Sequence, residues 1–133
     1  MKRYSINLLV IILLCIITLS FIFYTSQHEQ IELPKVIFKH WVHSHEDDTD
    51  TAYVYRPYDY PFPRSRGRRG FEINENGKFI LYRIAPTDGL NSYSGQWKLN
   101  GVDTMVVKFE EEEISSFSFT IISCEADLLL IKK

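Results

Sequence analysis

The chain lacks most of what announces chemistry in a sequence. It has only two cysteines. One of them, Cys15, lies in an apolar leader, so Cys124 is alone in the remainder and no internal disulfide can form there. There is no His-Glu-x-x-His, no pair of Cys-x-x-Cys, no Gly-x-Ser-x-Gly and no glycine-rich phosphate loop. The recognised signatures of zinc sites, serine hydrolases and nucleotide binding are therefore missing. Helical periodicity is also scarce past residue 27. No segment there carries apolar residues at three-and-four spacing over ten or more positions, which excludes a helical bundle. Positive charge is not in excess: 15 basic side chains face 17 acidic ones, and without the leader's Lys2 and Arg3 the balance is 13 to 17. A nucleic-acid partner is not expected from that balance.

What is present begins with the leader. Lys2 and Arg3 precede an apolar run over residues 8–24 that is close to the ~20 residues needed to cross a bilayer. Residues 1–27 read as a signal peptide or an N-terminal membrane anchor, with residues 6–24 as the anchoring stretch. Thr18 and Ser20 offer the best cleavage position, and Leu14 before Cys15 is too large for a lipoprotein signal. The flanking charges predict an N-terminus left inside and an exported, extracytoplasmic domain. Residues 28–35 form a linker ended near Pro34, and residues 36–133 make one domain with one core.

Within that domain, short runs rich in Val, Ile, Phe, Tyr and Thr alternate with turn signals, an all-β pattern. Eight strands are predicted, over 36–45, 51–56, 70–74, 78–84, 92–99, 103–110, 115–123 and 126–132. Glu75-Asn76-Gly77 predicts a three-residue hairpin loop with Gly77 in the left-handed region. That register sets Phe71 and Ile73 beside Phe79 and Leu81 on one face. In the seventh strand Phe117, Phe119 and Ile121 alternate with Ser116, Ser118 and Thr120. Polar-out, apolar-in hairpins in succession describe an antiparallel meander, and eight such strands can close into a small barrel.

The early Trp41, the hairpin "NGKF", the strand "SGQWKL" and the final "DLLLIKK" resemble the lipocalin-like, calycin-type β-barrel domains of small exported bacterial proteins. The block "YRPYDYPFPRSRGRRGFEINENGKF" looks like a signature of an uncharacterised group among them. The resemblance spans roughly residues 38–132. It implies a small β-barrel, which at about eight strands leaves room for either a filled core or one small ligand, and it carries over no catalytic or binding residue.

The candidate sites come from the residues themselves. In "HWVHSHEDDTDTAYVYRP", residues 40–57, a strand would place Trp41, His43 and His45 on one face. His43 and His45 would then stand about 7 Å apart, a spacing that serves a metal if Glu46 or another acid joins them. The simpler reading is that the imidazoles bond to the acids of the turn. Arg64, Arg66, Arg68 and Arg69 face that acidic turn in sequence, as an anion pocket or as a salt-bridge network to Glu46, Asp47, Asp48 and Asp50. The aromatic string Tyr53, Tyr55, Tyr58, Tyr60 and Phe62 is either a stacking surface for a ring or a sugar, or the cover of one end of the core. Glu110 to Glu113 read as a solvated hairpin tip.

The expectation is a non-catalytic, exported or membrane-tethered barrel that binds a small amphipathic or anionic ligand through Trp41, His43, Tyr55, Arg66 and Arg68, with no cofactor. Its rivals are an enzyme using His43, His45 and Glu46, with or without a metal, and a protein-interaction module of the cell envelope.

Overall fold

The computed structural model describes residues 33–133 and, within the leader, Val10, Ile11, Leu14, Cys15, Ile16 and Thr18, all helical. The chain divides into two compact units, Met1–Glu32 and Leu33–Lys133. The readings of a signal peptide, an anchor and a linker fall mostly outside the described residues.

The second unit carries eight strands: β1 His40–His43, β2 Ala52–Pro57, β3 Gly70–Ile73, β4 Lys78–Ile84, β5 Leu90–Asn100, β6 Thr104–Phe109, β7 Phe117–Cys124 and β8 Leu129–Lys132. Every neighbouring pair is antiparallel, and the sheet closes on itself. The expected eight-stranded antiparallel barrel is what the chain forms. Closure leaves no strand edge among the described residues to template aggregation.

From β3 to β8 the strands follow one another as a meander. The first hairpin enters the seam the other way round, with β1 beside β3 and β2 beside β8. This order explains the long connection 58–69. Pro57, at the end of β2, lies opposite Trp41, whereas Gly70, at the start of β3, lies opposite Val42. Both strands run antiparallel to β1, so the chain must travel back along the outside of β1 to begin β3. Val42 points outward yet is buried, as expected for a residue beneath that crossover. The approach is close at Gly70, where a Cβ would collide with the Trp41 carbonyl oxygen.

Residues paired across a ladder share a face. Phe71 pairs with Leu81 and Ile73 with Phe79, while Gly77 has φ 88°, as the turn chemistry predicts. Trp97 opposes Val107, Met105 opposes Phe119, and Val107 opposes Phe117. These inward rows fill the middle of the barrel, where Trp41, Phe79, Met105, Val107 and Leu129 are fully buried. One end is plugged by a 3-10 turn, Lys35–Ile37. Ile37 is fully buried, and its carbonyl accepts the Trp41 indole N–H at 2.8 Å. This turn and a second one, His45–Asp47, shorten the first strand from the expected 36–45 to four residues. At the second turn the Ser44 hydroxyl donates to Asp47 at 3.0 Å and the Asp47 N–H returns to the Ser44 carbonyl, a local bond that competes with the ladder.

Candidate functional site

The other end of the barrel is open. A cavity of about 350 Å³ sits there, walled by Tyr53, Tyr55, Leu81 and Phe119, with Phe71 among its lining residues. Below it the core is solid. Phe71 stacks on Phe79 with ring centroids 5.3 Å apart and lies 5.5 Å from Phe119, so the cavity is a cup and not a channel. Tyr55 leans on Phe71 at 4.9 Å. Burial pushes the Tyr55 phenol above its ordinary pKa, against the lowering charge of Arg69.

Three cations line this cup, Arg69, Arg83 and Lys132, and among the described residues no carboxylate does. The side chains of Arg83 and Lys132 make no hydrogen bond or ion pair among the described residues. Among the described residues Arg69 uses only its Nε, which donates to His43 Nδ1 at 3.2 Å. Both terminal nitrogens of its guanidinium are left for other acceptors, and the guanidinium fork suits a carboxylate, sulfonate or phosphate. A fourth cation, Lys133, lies 5.2 Å above the Tyr53 ring.

Behind Arg69 stands an ordered chain. His43 is buried, and its Nε2 meets both carboxylate oxygens of Asp48 at 3.1 Å. Asp48 also accepts the Val54 N–H at 2.8 Å. The pattern fixes the tautomer: Nε2–H donates to Asp48 while Nδ1 accepts from Arg69. Burial lowers the His43 pKa, opposed by the hydrogen bond and charge of Asp48 and assisted by Arg69 and His45, which suits a neutral ring. With both nitrogens engaged, His43 offers no open base.

The other sequence candidates sit elsewhere. His45 lies on the exposed turn, its ring centroid 6.3 Å from that of His43 and its Nδ1 3.6 Å from Glu46. Among the described residues no three His, Cys, Asp or Glu side chains are placed to hold a metal ion. Arg68 makes a two-pronged ion pair with Glu46 and covers the Phe62 ring at 4.6 Å. That hydrogen bond holds the Glu46 carboxyl down to about 2. Together with Arg56, whose Nε lies 3.4 Å from Asp47, it stitches the crossover and β2 to the acidic turn, the network the charge pattern suggested. Trp41 is wholly interior. Arg66 is exposed and has no partner among the described residues. Of the five expected ligand contacts, Tyr55 lines the cup and His43 stands behind it.

Sequence reasoning missed Arg69, Arg83 and Lys132 as a set. A signal existed for two of them. Arg69 precedes Phe71, and Arg83 follows Leu81, by the two-residue period of inward positions, so each sits one inward step beyond the apolar floor. No known family model, no characterised protein and no solved structure matches the chain. The function must be argued from this geometry.

Proposed function

We propose that the protein is a non-catalytic binding barrel of lipocalin-like type whose open end takes a compact amphipathic anion. The observation that carries the proposal is the pairing of an aromatic cup with three cations and no carboxylate. Few, convergent polar groups over an apolar lining are the usual make-up of a small-molecule site. The solid phenylalanine core below argues for a short or aromatic body and against a long acyl chain. The ligand's charged group would meet Arg69 and Arg83, and its body would rest on Tyr55 and Phe71, with His43 and Asp48 positioning Arg69. An exported or membrane-tethered location is part of the proposal and rests on the leader.

Native mass spectrometry of the full-length chain, purified without chelator, tests this reading. The expected result is a retained organic anion that is lost in the Arg69→Ala/Arg83→Ala double variant. A retained metal ion, or an organic mass held equally by both proteins, would speak against it.

A further inference from the structure

The aromatic string of residues 53–62 divides in the fold. Tyr53 and Tyr55 enter the cup, but Tyr58 stands on the outer surface and is 70% exposed, unusual for a side chain held so firmly. Its N–H donates to the His40 carbonyl at 3.1 Å. Its ring stacks on His40 at 4.8 Å and 20°. His40 in turn stacks on Tyr82 at 4.5 Å and 24°, and the Tyr82 hydroxyl donates to Glu72 at 3.3 Å. Two tyrosines cannot share one face of an imidazole, so His40 is the middle of a three-ring column and Tyr58 is its end. Burial lowers the His40 pKa, opposed by Glu72, which keeps the column neutral.

The column stands beside an open groove of about 580 Å³ whose lining includes Tyr58, Tyr60, Lys39, Asp59 and Asp127. We infer that this groove is a second binding site, for a neutral pyranose saccharide stacked on the outer face of Tyr58. A pyranose presents a face of C–H bonds polarised by its oxygens, and the negative face of an aromatic ring attracts them. Its hydroxyls, spread around the rim, need acceptors. Asp59 has no side-chain partner among the described residues, and Asp127 has only a distant one, Arg56 at 3.9 Å. The single ammonium, on Lys39, is already bound to the Ala126 carbonyl at 2.7 Å, so an anionic ligand finds little to hold it. The carboxylates would also attract an organic cation, but selective recognition of a quaternary ammonium uses a cage of several aromatic faces. Tyr60 cannot supply one, because Arg56 covers it at 5.0 Å and Phe62 abuts it at 5.0 Å. A platform fixed in advance by stacking costs a ligand little ordering on binding.

The test is saturation-transfer NMR on the full-length chain in a sugar-free detergent, with maltotriose, cellotriose and chitotriose as probes. At least one is expected to bind with a dissociation constant on the order of 1 mM. Tyr58→Ala should weaken it about tenfold, as loss of one stacking face implies, while Tyr58→Trp retains it. Tyr58 is exposed, so both variants should fold, with Tyr58→Trp melting with the wild type and Tyr58→Ala slightly below it for the loss of the His40 stack. Arg83→Ala should leave saccharide binding unchanged, which separates this site from the cup. No transfer to any of the three sugars, equal transfer in Tyr58→Ala, or displacement by tetramethylammonium would each overturn the inference.

Discussion

Replacing Trp41 with alanine is expected to lower the unfolding free energy by about 3–5 kcal/mol, the range for emptying a large aromatic site in a core. The indole is fully buried among the inward rows of the barrel. It also ties the 3-10 plug to β1 through the bond to the Ile37 carbonyl, and the Lys39 ammonium lies 5.2 Å above its ring. A domain of this size has about 5–15 kcal/mol in total, so the variant should stand near the edge of folding. Urea melts check this: the midpoint should fall with little change in slope. Trp41→Phe should recover part of the loss, since it refills volume but gives up the indole bond to the Ile37 carbonyl, which keeps only the Lys39 N–H at 2.9 Å. A Trp41→Ala variant destabilised by less than about 1 kcal/mol would show that the plug and core are not coupled as described.

Asp48→Ala should be the next most damaging change, at about 2–4 kcal/mol, because it strands two buried donors, the Val54 N–H and His43 Nε2–H. Asp48→Asn, which keeps an acceptor, should cost less. The same substitution should alter the pH dependence. The folded His43 pKa lies below its ordinary 6.5, so the unfolded chain takes up the proton first. Stability is therefore full above that value and falls as pH drops from it towards the folded pKa. Asp48 contributes the two influences that raise the His43 pKa. Without them the ring is held lower still and the window of loss widens. Thermal melts at about pH 7.5 and about pH 5.5 should show a larger acid-side drop in Asp48→Ala than in wild type. His40, lowered in the same direction by burial, contributes to both proteins alike. Equal drops would place Asp48 outside the His43 environment.

The barrel was legible because its signals are local. Alternation in β7 and the glycine of the β3–β4 turn each dictate a register, and successive hairpins propagate it. The position of β2 was not legible: Pro57 to Gly70 reads as a connection, but nothing local says that it passes over β1 to reach the far end. The acidic turn and the arginine block could be paired on charge alone, and Arg68 with Glu46 obeys that logic. Charge alone could not say which arginine would be spared. Arg68 is spent on Glu46, whereas Arg69, on the opposite face of the chain, turns into the cup and keeps its terminal nitrogens. Trp41 and His43 share a face with Tyr55, but only Trp41 differs from it in depth along the barrel, since His43 lies directly opposite Tyr55. Trp41 lies within the core, and His43 has both ring nitrogens taken up by Asp48 and Arg69, pairings that no local signal in the sequence announces.

The most direct measurement is a fluorescence titration of the folded, full-length chain with anilinonaphthalene sulfonate, a compact aromatic anion, at about pH 7.5, above the His43 transition. One saturable site is predicted. Loss of two charge-assisted contacts in Arg69→Ala/Arg83→Ala should weaken it at least about a hundredfold. Arg83→Ala alone should weaken it about tenfold without affecting the melt, because that side chain supports nothing else in the fold. Arg66→Ala should be silent. Binding that fails to saturate, or that is as tight in the double variant as in wild type, would contradict the account of the open end as an anion site.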